Sequence, residues 1–89
     1  MDTLELEKEV LRICEVPNLN GRDYRRICAK SIIYHELHSR GYTLTSIANH
    51  FGVTHSAVIN LLQKFDDRLK YDKEFKDLVL KYYGSKNQA

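Results

Sequence analysis

The sequence has no tryptophan, one proline and only two cysteines, and no apolar run approaches the roughly 20 residues that a membrane span needs. A transmembrane helix is therefore not expected. Cys14 and Cys28 fall at apolar positions of predicted helices, where a free cysteine packs as a small hydrophobe, and no disulfide is expected. The single proline, Pro17, opens the one stretch that is clearly a loop, at residues 17–21.

Four further patterns are missing. The N-terminal letters M-D-T-L-E-L-E are acidic and lack a basic flank followed by an apolar run, so we expect no secretory signal and a cytoplasmic location. No G-x-x-x-x-G-K-[ST] loop occurs, which argues against an ATPase. No internal repeat and no strand-period segment occurs. At 89 residues, the chain is predicted to be one domain built from helices.

Enzyme chemistry has one superficial candidate. His35-Glu36-Leu37-His38 is similar to a zinc-protease motif, but that motif places its histidines at i and i+4, and these lie at i and i+3. No third ligand has recognisable spacing, and no nucleophile and base are paired by spacing. We therefore expect no catalytic residues, no metal site and no cofactor.

The positive charge is concentrated in the middle of the chain. Residues 1–19 carry two basic and five acidic side chains, a net charge of −3, whereas residues 20–70 carry eight basic and four acidic, a net charge of +4. All four histidines lie in that central segment. This uneven distribution of charge would orient the domain on a phosphate surface and make binding sensitive to salt.

Hydrophobic periodicity predicts an all-α fold of about five helices. Residues 1–84 are predicted to form a single helical domain, with a helix-turn-helix at about 43–69 and a flexible tail at 85–89. The first helix is predicted at about 3–16, with Asp2 as its cap, Glu5 reaching back and Pro17 ending it. The second spans about 22–39 and is the central helix, with Asn20 as its cap.

The last three helices also have cap residues. Thr43 begins the third and Thr54 the fourth, which is expected to end near residue 69. The fifth begins at Tyr71 and Asp72, with Asp72 as its cap, and ends at Gly84.

The side chains expected in the core are Leu6, Val10, Ile13, Cys14, Tyr24, Ile27, Cys28, Ser31, Ile33, Tyr34 or His35, Leu37, His38, Val58, Leu61, Leu62, Phe65, Phe75, Leu78, Val79 and Tyr82.

The corner between the third and fourth helices is the most informative feature. Ile47, Ala48 and Phe51 lie on one helical face before Gly52 interrupts the pattern. Ala48 is the small residue at the closest approach of the two helices, Gly52 allows a positive φ, and Val53 packs the turn into the core. This spacing predicts a helix-turn-helix that binds double-stranded DNA.

The outward face of the fourth helix carries short hydrogen-bonding side chains that suit the major groove. Ile59 in that row could contact a thymine methyl group. The predicted base-contacting residues are His55, Ser56, Asn60 and Gln63. The predicted backbone-contacting residues are Arg22, Arg25, Arg26, Thr54 and Lys64, with Lys30 along the same helix as the three arginines. A solvated helix hairpin in some other small domain would show the same corner.

Three stretches carry a family resemblance. They are R-R-I-C-A-K-S-I-I-Y-H-E-L before the corner, T-L-T-S-I-A-N-H-F-G through it and T-H-S-A-V-I-N-L-L-Q-K-F after it. Over roughly residues 22–80 the chain resembles the C-terminal DNA-binding domain of the bacterial replication initiator DnaA, in the Trp-repressor-like group, as a stand-alone divergent relative. The resemblance implies the fold and the mode of docking on DNA. We expect the protein to act in replication or transcription control or in a mobile element.

The family signature G-R-D-H-T-T-V maps onto the start of the fourth helix. His55 matches its histidine, Ser56 and Ala57 its two threonines, and Val58 its buried valine, while Thr54 stands where the family has aspartate. One residue is missing after Gly52, and two extra residues occur around 40–41. The arginine-rich loop of the family is reduced to residues 20–22, so the resemblance does not imply the same DNA site.

The alternative is a small helical protein-protein interaction adaptor without DNA binding. The first helix is acidic on its outer side and could dock on a partner, and the last helix could form a dimer face through Tyr82 and Tyr83. Tyr82 is expected in the core and Tyr83 half exposed. A homodimer, or a larger replication or regulatory partner, would also strengthen the weak DNA binding of one small domain.

Overall fold

Five α-helices account for most of the part of the chain that the structure describes. The computed structural model describes the backbone of residues 3–86 and the side chains of residues 3–84. The helices are α1 (Leu4–Cys14), α2 (Tyr24–Ser39), α3 (Leu44–Phe51), α4 (His55–Tyr71) and α5 (Lys73–Lys86). Within residues 3–86 no β-strand occurs, and the predicted all-α class is confirmed. No helix in this range combines the length and apolar content of a membrane span.

Three predicted helix caps are present. The Thr43 hydroxyl accepts a hydrogen bond from the Ser46 N–H at 3.1 Å, and the Thr54 hydroxyl accepts one from the Ala57 N–H at 3.1 Å. Asp72 caps α5 by accepting from the Phe75 N–H at 3.1 Å. Each bond satisfies a backbone donor that has no partner inside the helix, which is why these starts are readable from sequence.

The first two helices are shorter than predicted. α1 ends at Cys14, because Glu15 adopts the left-handed conformation with φ of +58° and the Val16 N–H bonds back to the Leu11 carbonyl at 3.1 Å. Its predicted cap, Asp2, lies outside the described residues. α2 begins at Tyr24, and its cap is Asp23 rather than Asn20.

The last two helices are longer than predicted. α4 continues two residues beyond 69 to Tyr71, so Tyr71 belongs to α4 and only Asp72 separates it from α5. α5 passes through Gly84, which does not adopt the positive φ of a helix-ending glycine, and reaches Lys86. Residues 85–86 of the predicted tail are therefore helical, and residues 87–89 lie outside the described range.

α2 is the centre of the domain and packs against each of the other four helices. Its buried side chains belong to one hydrophobic core, which also contains Val10 and Cys14 from α1, Ile47 and Ala48 from α3, Val58 and Phe65 from α4, and Phe75, Leu78, Val79 and Tyr82 from α5. Two predicted core positions are wrong, because Tyr24 is 40% exposed and His38 is exposed. Ile13, Ile27, His35, Leu61 and Leu62 are half-buried.

One charged group lies within this core. Glu36 is 5% exposed, and its carboxylate accepts hydrogen bonds from the Tyr82 hydroxyl at 3.2 Å and from Arg40 Nε at 3.3 Å. Burial, followed by the neighbouring Glu36 charge, raises the pKa of Tyr82 to about 12, so its hydroxyl remains a donor. This bond joins α2 to α5.

A second link joins the start of α2 to the α4–α5 junction and makes stability depend on pH. The Tyr24 hydroxyl donates to Asp72, and this bond, followed by the Phe75 N–H, lowers the pKa of the Asp72 carboxyl. A lowered folded-state pKa stabilises the fold above the unfolded value, near 4, and this contribution is lost as the pH falls through the folded value. We expect Asp72→Asn to lower the free energy of unfolding at pH 7. Between pH 5 and 2 the free energy of unfolding of this variant should fall less steeply than that of the wild type.

Urea unfolding at several pH values checks this expectation. Asp66→Asn is the matched control, because Asp66 is an exposed aspartate on the neighbouring helix α4. The same pH dependence in Asp72→Asn and wild type would contradict the role of Asp72.

Candidate nucleic-acid interface

Residues 52–54 connect α3 to α4 in a tight turn. Gly52 has φ of +66°, in the left-handed region that glycine adopts without strain, and the Val53 N–H donates to the Ala48 carbonyl at 3.0 Å. Ala48 is 4% exposed, and Val53 packs against the core. The positive φ predicted for Gly52 is confirmed. The turn leaves the first turns of α4 at the surface.

The first half of α4 presents a row of polar side chains. His55, Ser56, Asn60 and Gln63 are exposed, and none makes a hydrogen bond within the described residues. Ser56, Asn60 and Gln63 follow the i, i+4, i+7 spacing of one helical face. Ile59 is half-buried, so it faces outward less than predicted. Ser56, Asn60 and Gln63 thus share one face on which their donors and acceptors are available to a partner, and His55 is exposed at the start of the same helix.

Charge divides α4 into two halves. Residues 55–63 contain no aspartate, glutamate, lysine or arginine, whereas residues 64–70 contain Lys64, Asp66, Asp67, Arg68 and Lys70. Asp67 lies one helical turn beyond Gln63, about 6 Å along the axis. A polyanion on this face is therefore tolerated best beside the N-terminal half, where the helix dipole also favours negative charge.

The predicted backbone-contacting cations differ in their availability. Arg22 and Lys64 are exposed and form no ion pair within residues 3–84. Arg25 bonds to the Glu15 carboxylate at 3.1 Å and the Cys14 carbonyl at 3.2 Å, while Arg26 bonds to the Asp23 carboxylate at 2.7 Å.

Arg26 and Lys30 also hold the loop between α1 and α2. Arg26 Nε donates to the Asn18 carbonyl at 3.1 Å, and Lys30 Nζ donates to the Gly21 carbonyl at 2.8 Å. The basic cluster on α2 is therefore largely occupied with positioning residues 18–23. Sequence reasoning did not identify this role, because no local pattern shows which carbonyl a long side chain reaches.

The two cysteines and the His35–His38 pair have different surroundings in the structure. Within the described residues, no three metal-binding side chains cluster. His35 stacks on Phe65 with ring centroids 3.8 Å apart, while His38 is exposed. Cys14 and Cys28 are free and fully buried, as expected, and burial raises the pKa of the Cys14 thiol to about 11. A thiol in this state is a weak nucleophile and metal ligand.

A hydroxyl, an imidazole and a carboxylate do meet at another place. The Thr3 hydroxyl donates to Glu7 and lies 2.9 Å from His50 Nε2, which is 3.6 Å from the Glu7 carboxylate. Spacing alone did not reveal this cluster, since Thr3 and His50 are 47 residues apart. Thr3 is 3% exposed, which leaves its hydroxyl little access to a substrate. The contact attaches the start of α1 to the end of α3.

Comparison with known proteins found no matching family model, curated protein or solved structure.

Proposed function

We propose that this protein binds double-stranded DNA through a helix-turn-helix formed by α3 and α4, with the first half of α4 in the major groove. The observation that supports this most directly is the exposed row of Ser56, Asn60 and Gln63 on a rigid, capped helix. These side chains have no partner within the described residues, so binding would break no internal hydrogen bond. The motif resemblance to the DnaA C-terminal domain supports the same docking mode.

The side chains of this row have the chemistry of base readers. The amides of Asn60 and Gln63 can each donate to and accept from adenine N6 and N7, and Ser56 and His55 can approach base edges near the helix start. Thr54 uses its oxygen lone pair to cap α4, and its hydroxyl proton can be donated to a phosphate. We assign base contacts to His55, Ser56, Asn60 and Gln63.

The phosphate contacts follow from the ion pairs. Arg22 and Lys64 can bind phosphate without losing a partner. Arg25 would give up its ion pair with the exposed Glu15 carboxylate and bind a phosphate instead. Arg26 is the least available of the predicted set, because its side chain holds Asp23 and Asn18. About three phosphate contacts give an expected slope of log affinity against log salt near −3.

An adaptor function has one specific observation in its favour. Tyr71 is 77% exposed at the end of α4, and a surface cleft of about 310 Å³ is lined by Tyr71, Lys64, Asp67, Arg68 and Asp72. A large exposed aromatic ring beside both signs of charge is typical of a protein interface. A second copy or another protein could bind there while the first half of α4 remains accessible.

Selection from random duplex oligonucleotides, followed by salt titration on the enriched sequence, tests the proposal. We expect enrichment of a defined site and a salt slope near −3. Light scattering with and without the duplex measures the stoichiometry. No enrichment at low salt, together with a stable dimer or a protein complex, would favour the adaptor.

The biological setting that we propose is replication or transcription control, or a mobile element, in the bacterial cytoplasm. This setting depends on the family resemblance, and no catalytic activity or cofactor is part of it.

A further inference from the structure

A cleft of about 260 Å³ lies between the α1–α2 loop and the turn before α4. Residues 19–21 form one wall, residues 51–53 form the other, and Lys30 and Tyr34 of α2 lie between them. The cleft is thus built from three separate segments of the chain. Each segment is held in place, because Lys30 bonds to the Gly21 carbonyl and the Val53 N–H bonds to the Ala48 carbonyl.

Tyr34 supplies an unusual group to this cleft. The residue is 1% exposed and packs against Phe51 with ring centroids 5.3 Å apart, yet its hydroxyl makes no hydrogen bond within the described residues. No fully buried side-chain oxygen or nitrogen in that range lacks a partner. The exposed fraction of Tyr34 therefore includes its hydroxyl, and the residue lines the cleft.

A hydroxyl on a largely buried side chain that still reaches solvent can complete its hydrogen bonding with water or with a ligand. The second buried tyrosine of the core shows the usual arrangement, since Tyr82 donates to Glu36 at 3.2 Å. Tyr34 differs in that its hydroxyl has no hydrogen-bond partner within the described residues. This difference indicates a binding position for an acceptor atom.

The other polar groups of the cleft define the acceptor. Lys30 Nζ uses one of its three N–H donors on Gly21, which leaves two. The Asn20 side chain is exposed and adds an amide donor, and no aspartate or glutamate lines the cleft. Burial raises the pKa of Tyr34 to about 12, so its hydroxyl stays protonated and donates at neutral pH. The cleft therefore combines hydrogen-bond donors with the positive charge of Lys30 and has no carboxylate in its lining. This combination is suited to binding an oxyanion.

We propose that the cleft between residues 19–21 and 51–53 is a phosphate-binding site, in which Lys30 Nζ and the Tyr34 hydroxyl hold phosphate oxygens. The phosphate group belongs either to a small phosphate ligand or to a backbone phosphate of bound DNA, because the cleft adjoins the turn that leads into α4. The site is defined on the free protein and does not require the proposed DNA binding.

Titration of the ¹⁵N-labelled protein with inorganic phosphate tests the site, with chloride at equal ionic strength as the reference. We expect saturable shifts of the Gly21, Gly52 and Val53 amides, with a dissociation constant on the order of 1 mM for a few charge-assisted bonds. Tyr34→Phe and Lys30→Gln should each weaken phosphate binding at least fivefold.

Tyr82→Phe is the matched control, because it removes the hydroxyl of a buried tyrosine that does not line the cleft. It should bind phosphate like wild type and unfold at a lower temperature, whereas Tyr34→Phe should lose phosphate binding with no decrease in melting temperature. Shifts no larger than those with chloride, or wild-type affinity in Tyr34→Phe, would overturn the proposal.

A second titration identifies the source of the phosphate. If the site holds a DNA phosphate, a saturating selected duplex will prevent inorganic phosphate from binding. If it holds a small ligand, phosphate will bind with the same affinity in the presence of the duplex. Both results support the site, and a protein without any DNA binding can still bind phosphate, so the two proposals fail independently.

Discussion

Asn60→Ala should weaken binding to the selected duplex about 5- to 150-fold, equivalent to about 1–3 kcal/mol, and leave binding to random duplex almost unchanged. The reason is that a bidentate amide contact discriminates one base, while phosphate contacts supply the affinity shared by all sequences. Asn60 is exposed and has no internal partner, so the substitution removes no contact that stabilises the fold. Competition binding with both duplexes gives the two affinities.

Lys64→Ala is the matched control for Asn60→Ala, since it lies one turn further along the same helix. It should reduce affinity for all duplexes to a similar extent and decrease the magnitude of the salt slope by about 1. Equal losses on selected and random duplex for Asn60→Ala would show that Asn60 does not read a base, and α4 would then need another orientation.

Phe65→Ala should be the most destabilising substitution on α4, at about 3–5 kcal/mol. Phe65 is 4% exposed between two rings, with His35 stacked at 3.8 Å and Phe75 edge-on at 5.3 Å. The substitution leaves a cavity at the contact of α2, α4 and α5. At roughly 4–8 °C per kcal/mol for a domain of this size, the melting temperature should decrease by at least about 12 °C.

Tyr71→Ala is the control for Phe65→Ala, because it also removes an aromatic ring from α4 but removes one that is exposed. Tyr71 lies on the same helix and is 77% exposed, so its removal should change the unfolding free energy by less than about 0.5 kcal/mol. Chemical denaturation of both variants supplies the measurement. Similar losses in the two would mean that the contact around Phe65 does not stabilise the domain as argued.

Helix type and the three caps at Thr43, Thr54 and Asp72 were predictable from sequence, because a cap bonds to a backbone group only three residues away. The left-handed conformation of Gly52 was also predictable, because a glycine that interrupts a helical pattern is the residue that adopts a positive φ without strain. The cap of α2 was not, because Asn20 and Asp23 are both good cap residues. In the structure Asp23 is the cap, because its carboxylate accepts a hydrogen bond from the Arg26 backbone N–H.

The candidate interface was partly predictable. Helical periodicity identified the exposed face of His55, Ser56, Asn60 and Gln63, since exposure follows from the spacing of buried residues. The sequence did not show that Arg25 and Arg26 have internal partners, nor that Tyr34 lacks one. These facts depend on the loop between α1 and α2, and a loop conformation is determined by distant contacts that no local pattern contains.

The packing of α1 against α5 has a kinetic consequence. These helices come from opposite ends of the described chain, so their contact closes the largest loop in the fold and has the greatest entropic cost. Contacts among α2, α3 and α4 close much shorter loops. We expect those three helices to assemble in the folding transition state, and the α1–α5 contact to form after the barrier has been crossed.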